Sequence, residues 1–333
     1  MPIVADTPKP PPSAGRQALM WVIKIGVSAV LLYILFSRID TAELWAQVRG
    51  ASAGWIVTAL AVYSLMILVA TWRWRVLLGA QHVSIPFGRL LNSYLAATFA
   101  NNFLPSNIGG DVIRISDTAR PAKSKTLATA IVLADRVVGV LGLAFIAALG
   151  STMAAQRNDM LGPVFWAGLL GMVVAGGVAL AKPDWIAALA RPLRVFHANW
   201  VDRRIETATG ALHRFRQAPG SMAIGFIASV ALQALQVLFY AAVAAALHLT
   251  VPLSHMAILV PFSSLVQMLP VSVNGHGVRE GTFVAYLTRI GVQREGALAL
   301  SLTGAALIML FSMSGAAAYL ARRHKPAAEP ETI

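Results

Sequence analysis

Apolar residues do not alternate with polar ones in this chain; they run in blocks. Blocks at 18–36, 54–71, 127–150, 161–181, 222–247 and 297–320 are each long and apolar enough to be predicted transmembrane helices. Two further blocks, 90–105 and 256–270, are shorter and lead directly into Pro and Gly. At 1.5 Å rise per residue the shorter blocks cover about 24 Å, against roughly 30 Å of hydrocarbon. They are predicted to be half-helices of re-entrant hairpins rather than crossings.

Composition fits this pattern. The chain is 57% hydrophobic and 12% charged, and its mean hydropathy is +0.67. That charged share is about half of what a soluble domain carries. Cysteine is absent, which excludes disulfides, thiol catalysis and Cys-ligated metal. Residues 1–17 are Pro-rich and polar and read as a disordered tail. The 18–36 block is too long for a signal h-region and is expected to remain as a span. A net charge of +13 raises nucleic acid as a partner, but the placement of the basic residues points to anionic lipid head groups instead.

Arg73, Arg75 and Arg89 precede the first short block, and Arg114, Arg120, Lys123 and Lys125 follow it. A crossing would export one of these groups, which the positive-inside rule disfavours. A hairpin dipping from the cytoplasm keeps both inside. The last span is followed by Arg322, Arg323 and Lys325, so it ends inside, and the second hairpin then dips from the opposite side. The expected fold is an all-α integral membrane protein of about six transmembrane helices and two re-entrant hairpins, with both termini cytoplasmic. Its membrane domain spans 18–322, with halves at 18–181 and 222–322 and a tail at 323–333. Residues 191–217 carry apolar side chains at helical spacing among arginines; they read as an amphipathic helix on the inner leaflet joining the halves. Trp72 and Trp74, beside Arg73 and Arg75, read as an interfacial anchor.

The hairpins share a sequence. Leu104-Pro105-Ser106-Asn107-Ile108-Gly109-Gly110-Asp111-Val112-Ile113-Arg114 aligns without a gap to Leu269-Pro270-Val271-Ser272-Val273-Asn274-Gly275-His276-Gly277-Val278-Arg279. Charge placed the copies on opposite sides, so pattern and topology agree on an inverted repeat, a design of secondary transporters. Glycine allows tight turns and close backbone approach. Free N–H groups at such turns hold anions, and Arg114 and Arg279 add guanidinium forks suited to phosphate. Candidate substrate-binding residues are therefore Arg114, Arg279, Asp111, Gly109, Gly110, Gly275, Asn107 and Asn274.

Asp135 and Arg136 interrupt the 127–150 span, where charge is expensive and usually faces the bundle interior. One scheme pairs Arg136 with Asp111 and Asp135 with Arg114, tying the first hairpin to this helix; substrate contact is the alternative role. Glu280 is a first-turn helix carboxylate, a partner of Arg279, or a proton-coupling group. His276 occupies the position of Asp111. Lys24 is expected to snorkel to the interface. No Walker loop, H-E-x-x-H or G-x-S-x-G motif occurs, so neither an enzyme nor a bound cofactor or metal is expected.

Three segments, N-N-F-L-P-S-N-I-G-G-D-V-I-R at 101–114, A-D-R-V-V-G at 134–139 and L-P-V-S-V-N-G-H-G-V-R-E-G at 269–281, resemble the lysylphosphatidylglycerol synthase transmembrane, or flippase-like, family. The resemblance runs from about 18 to 322. It implies a lipid translocase of the bacterial inner membrane, without the aminoacyl-transferase domain that follows this region in the multiple peptide resistance factor. Relatives are tied to several lipid classes, so the resemblance leaves the lipid open. The alternatives are a membrane enzyme, with Asp111 or Glu280 as general base, and an accessory subunit of a lipid-synthesis enzyme. The expected partner is a lipid with an anionic head group; oligomeric state is left open.

Overall fold

The computed structural model describes residues 40–103, 109–154, 161–181, 194–268 and 275–323, with positions 26, 30, 33 and 37. The 18–36 span apart from those positions, both tails, Lys24, and the hairpin tips with Asn107 and Asn274 lie outside the described residues.

Among the described residues all regular structure is helical: α1 (Thr41–Arg49), α2 (Ala53–Gly79), α3 (Phe87–Phe103), α4 (Gly109–Ala119), α5 (Lys125–Ala154), α6 (Leu161–Ala181), α7 (Arg194–Gln217), α8 (Pro219–Ala246), α9 (Leu253–Gln267), α10 (Val278–Leu287), α11 (Arg294–Ser312) and α12 (Ser314–Arg323). Four of them, α2, α5, α8 and α11, are long and apolar enough to cross a membrane. Helix α6 is 21 residues of almost unbroken apolar sequence. It leaves Val164, Trp166, Leu170, Val173 and Val174 exposed, as a lipid-facing helix does. Helices α3 and α9 are shorter, with 17 and 15 residues. The chain is an all-α, multi-pass membrane protein.

The succession α2–α5 recurs as α8–α11, and each contact within the first set has its counterpart in the second. Helix α3 packs on α4, and α9 on α10; α4 packs on α5, and α10 on α11. Across the halves, α5 packs on α9 and α11 on α3, while α2 lies against α8. The last two are antiparallel. At one end Ser52 N–H donates to Ala246 O at 2.8 Å; at the other, Gly225 of α8 sits against Leu77 of α2. Two hydrophobic cores result, one at each end of this pair. Trp74, Leu77, Leu78, Leu90, Ile131 and Phe215 form the first. Phe239, Val243, Leu247, Met256, Leu259 and Phe283 lead the second.

Glycine permits the closest crossings. A Cβ on Gly142 of α5 would lie 2.7 Å from Ser229 Cβ of α8. Pro261 inside α9 removes the N–H that would bond the Ala257 carbonyl. Gly150 of α5 packs on that freed backbone, where a Cβ would come within 2.7 Å of the Ala257 Cβ.

Two expectations are revised. The block at 297–320 is two helices: α11 ends at Ser312, and α12 turns at Met313 to pack on α3, with Gly315 against the Leu95 carbonyl. A Ser and Gly pair flanking the turn weakens the helix there. Trp74 and Arg73 are not an interfacial anchor, because α2 continues to Gly79 and turns both into the bundle; Trp72 and Arg75 stay exposed. Helix α7 is docked at its C-terminal end. Ala211 and Phe215 are buried, Arg214 Nε donates to Gln81 Oε1 at 2.7 Å, and Gln81 Nε2 donates to Ala211 O at 3.0 Å.

Gly142→Val overpacks the α5–α8 crossing and is expected to destabilise the protein by about 1–3 kcal/mol. Gly168→Ala, on a face of α6 with nothing within 4 Å, is expected to be neutral. Thermal midpoints of the two variants in detergent check the contrast.

Candidate functional site

The first hairpin returns as α4, beginning at Gly109. Gly110 fits against α3 with no room for a side chain: a Cβ would lie 2.6 Å from the Ala97 carbonyl oxygen. Gly110 N–H donates to Asn101 Oδ1 at 2.8 Å, so the last turn of α3 caps the first turn of α4. Asp111 sits in that first turn, where the helix dipole favours a carboxylate. Arg114 lies one turn on and is buried.

Helix α5 brings Asp135 and Arg136 to meet them. Arg114 donates to Asp135 Oδ2 at 2.8 Å, and Arg136 donates through Nε to Asp111. Both pairs expected from sequence are present. A third cation joins them: Arg73 Nε donates to Asp135 Oδ1 at 2.8 Å, and another Arg73 nitrogen donates to Ser229 Oγ of α8 at 2.7 Å. Each oxygen of Asp135 thus accepts from a different guanidinium. The Arg114 guanidinium stands over the Trp74 ring at 4.4 Å and the Tyr94 ring at 5.2 Å, which adds cation–π attraction. Accessibility falls inward, from side-chain exposures of 38% for Arg136 and 13% for Asp111 to 3% for Asp135. Nothing in sequence marked Arg73, because a basic residue just past an apolar block reads as interfacial.

The second hairpin is built differently on the same plan. Gly275 and Gly277 have φ of +76° and +84°, which side-chain-bearing residues rarely adopt. Gly275, aligned with Gly110, also meets the incoming half-helix; a Cβ there would lie 2.5 Å from Gln267 Cγ. Because this backbone cannot continue a helix, α10 starts at Val278, a turn later in the alignment than α4. Glu280 is fully buried. It accepts from Gly277 N–H at 2.6 Å and from Arg279 Nε at 3.0 Å, so it is both a first-turn capping carboxylate and the partner of Arg279. His276 sits half-buried in the turn. Tyr240 of α8 stands beside Arg279 and packs on Phe283.

Asp111, Arg114, Asp135 and Arg136 thus form one cluster against the first core, and Arg279 with Glu280 a second against the other. No contact among the described residues joins Arg114 to Arg279. No grouping of three or more His, Cys, Asp or Glu occurs among the described residues that would suit a metal ion.

A multi-pass helical bundle with ion pairs buried among its apolar helices is a membrane protein with an internal polar site. Residues 21–315 match the family described as the lysylphosphatidylglycerol synthase TM region, and the chain belongs to that family. It is also similar to a UPF0104 membrane protein of Pyrococcus horikoshii, 26% identical over 126 residues. That similarity covers 36% of this chain and 36% of the relative's length.

Removing the charge of Asp135 leaves two buried guanidinium groups without a counter-ion. Asp135→Asn is expected to destabilise by on the order of 3–5 kcal/mol. Adding Arg73→Gln is expected to restore part of that loss, since one unpaired charge disappears with it. A double-mutant cycle on thermal midpoints checks the coupling.

Proposed function

We propose that the protein is a lipid translocase of the bacterial inner membrane, moving a lipid with a phosphate-bearing head group between leaflets. The carrying observation is the graded ion cluster of the first hairpin. Its three guanidinium groups (Arg73, Arg114, Arg136) face two carboxylates (Asp111, Asp135), so the ion-paired set holds an excess cation. Its partly exposed end lies at the helix surface beside the exposed apolar residues Val112, Leu133 and Val137. A head group enters past Arg136 while its acyl chains stay against these residues, in lipid. The N-terminal turn of α4 adds backbone N–H groups and a favourable dipole for the phosphate.

Several observations support an inverted repeat with re-entrant hairpins as the frame for this movement. The half-helices are short for the bilayer, equivalent helices α2 and α8 run antiparallel, and the contacts are duplicated across the halves. Basic residues of the α2–α3 and α4–α5 connections favour a cytoplasmic position for that end, and with it cytoplasmic termini. Alternating access by one half rocking against the other suits this frame. In the second hairpin, Arg279 and Glu280 form a neutral pair that holds the turn. Group transfer is the weaker reading: of its two candidate bases, Glu280 has both oxygens engaged, by Gly277 N–H and by Arg279, and Asp111 is held as an ion pair by Arg136.

In proteoliposomes, the protein is expected to accelerate transbilayer movement of a fluorescent phosphate-bearing lipid. Arg136→Gln should slow this by about tenfold, the loss of one charge-assisted hydrogen bond. Movement no faster than in protein-free liposomes would overturn the reading.

A further inference from the structure

Buried polar atoms in folded proteins nearly always have partners. Around Arg114 three do not: Arg114 Nε, Trp74 Nε1 and Thr118 Oγ1 are sealed from solvent and make no hydrogen bond. Trp74 lies under the Arg114 guanidinium. Thr118 is four residues beyond Arg114 on α4, on the same helix face. Trp74 and Thr118 are both fully buried. A guanidinium N–H and an indole N–H can only donate, and a hydroxyl can donate as well. Each of the three atoms is thus open to an acceptor.

Charge narrows the choice. The unmet donors adjoin an ion-paired set with one more guanidinium than carboxylates, so an oxyanion fits better than a neutral acceptor. Among the described residues the second half offers nothing comparable. Arg279 Nε is already bonded to Glu280, and the unmet buried side-chain atoms there are Gln233 Oε1, an acceptor, and Ser301 Oγ. At the spacing that relates Arg114 to Arg279, Asp135 and Arg136 correspond to Leu300 and Ser301, so the intramembrane ion pairs are absent as well.

We infer that Arg114, Trp74 and Thr118 form a phosphate-binding subsite in the first half of the protein, with no equivalent in the second, so that each chain binds a single head-group phosphate. The inference rests on the transport reading and deepens it. Trp74 and Thr118 are thereby binding residues that neither the sequence motifs nor the ion pairs identify. Arg136 and Asp111 are the accessible pair of the cluster, and Asp135, itself held by Arg73, fixes Arg114.

The test uses the purified full chain in detergent, titrated with short-chain phosphatidic acid and, in parallel, with inorganic phosphate. Stoichiometry is read by native mass spectrometry and affinity by calorimetry. Trp74→Phe removes the N–H and keeps an aromatic face, though a smaller one; Thr118→Val removes the hydroxyl and keeps the shape. Wild type is expected to bind one phosphatidic acid, and each variant to bind it about tenfold more weakly, the loss of one hydrogen bond to a charged group. The thermal midpoint of Thr118→Val without lipid should be unchanged or higher, because an unmet buried polar atom has been removed, whereas Trp74→Phe also empties part of the core and should lower it. Wild-type affinity in both variants would overturn the subsite, and two lipids per chain would overturn its restriction to one half. Inorganic phosphate binding as tightly as the lipid would overturn the lipid as its source. Failure of the wild type to bind any phosphate-bearing lipid would instead overturn the transport reading.

Discussion

A carboxylate shared between two arginines inside an apolar bundle is the constraint on which the first half depends. Asp135 accepts from Arg73 of α2 and Arg114 of α4, and Arg73 reaches on to Ser229 of α8. Four helices are tied through one residue. An ion in that setting is tolerable only when paired and hydrogen-bonded, so the position of each helix is conditional on the others. The glycines follow from the same requirement. Gly142 lets α5 approach Ser229 closely, and Gly139 presents its bare backbone to the Arg73 guanidinium.

The two halves share a plan and diverge in chemistry. Gly304 faces Tyr240 in the second half as Gly139 faces Arg73 in the first, at the spacing that relates the two hairpin arginines. Where the first half supplies its hairpin arginine with a carboxylate from a neighbouring helix, the second supplies one from the adjacent position, Glu280. A pair made within one helix turn holds that turn; a pair made between helices holds the bundle and changes if the helices move. On the transport reading, the polar site that changes belongs to the first half and the fixed turn to the second.

Much of this was legible in sequence for a physical reason: charge in an apolar span must be neutralised, and only a few opposite charges were near enough in the chain. That reasoning selected Arg114 with Asp135 and Arg136 with Asp111. The gapless match of the hairpins found the glycines that meet the incoming half-helices. Arg73 and Trp74 were misplaced because hydropathy marks where an apolar run ends, not where a helix ends; α2 runs on to Gly79 and carries both inward. The turn at Met313 was hidden for the converse reason, since the apolar block continues across it. Glu280 left two structural roles open from sequence, and it fills both. The unmet donors of Trp74 and Thr118 have no sequence signature, because lacking a partner is a property of packing.

Everything proposed for function turns on a lipid phosphate entering the polar site of the first half. Cryo-electron microscopy of the protein in nanodiscs containing a phosphate-bearing lipid would locate it. Head-group density is expected against Arg114, Trp74 and Thr118, with acyl chains leaving past Arg136. Density centred instead on Arg279 and Glu280, or lipid confined to the outer surface of the bundle, would contradict it.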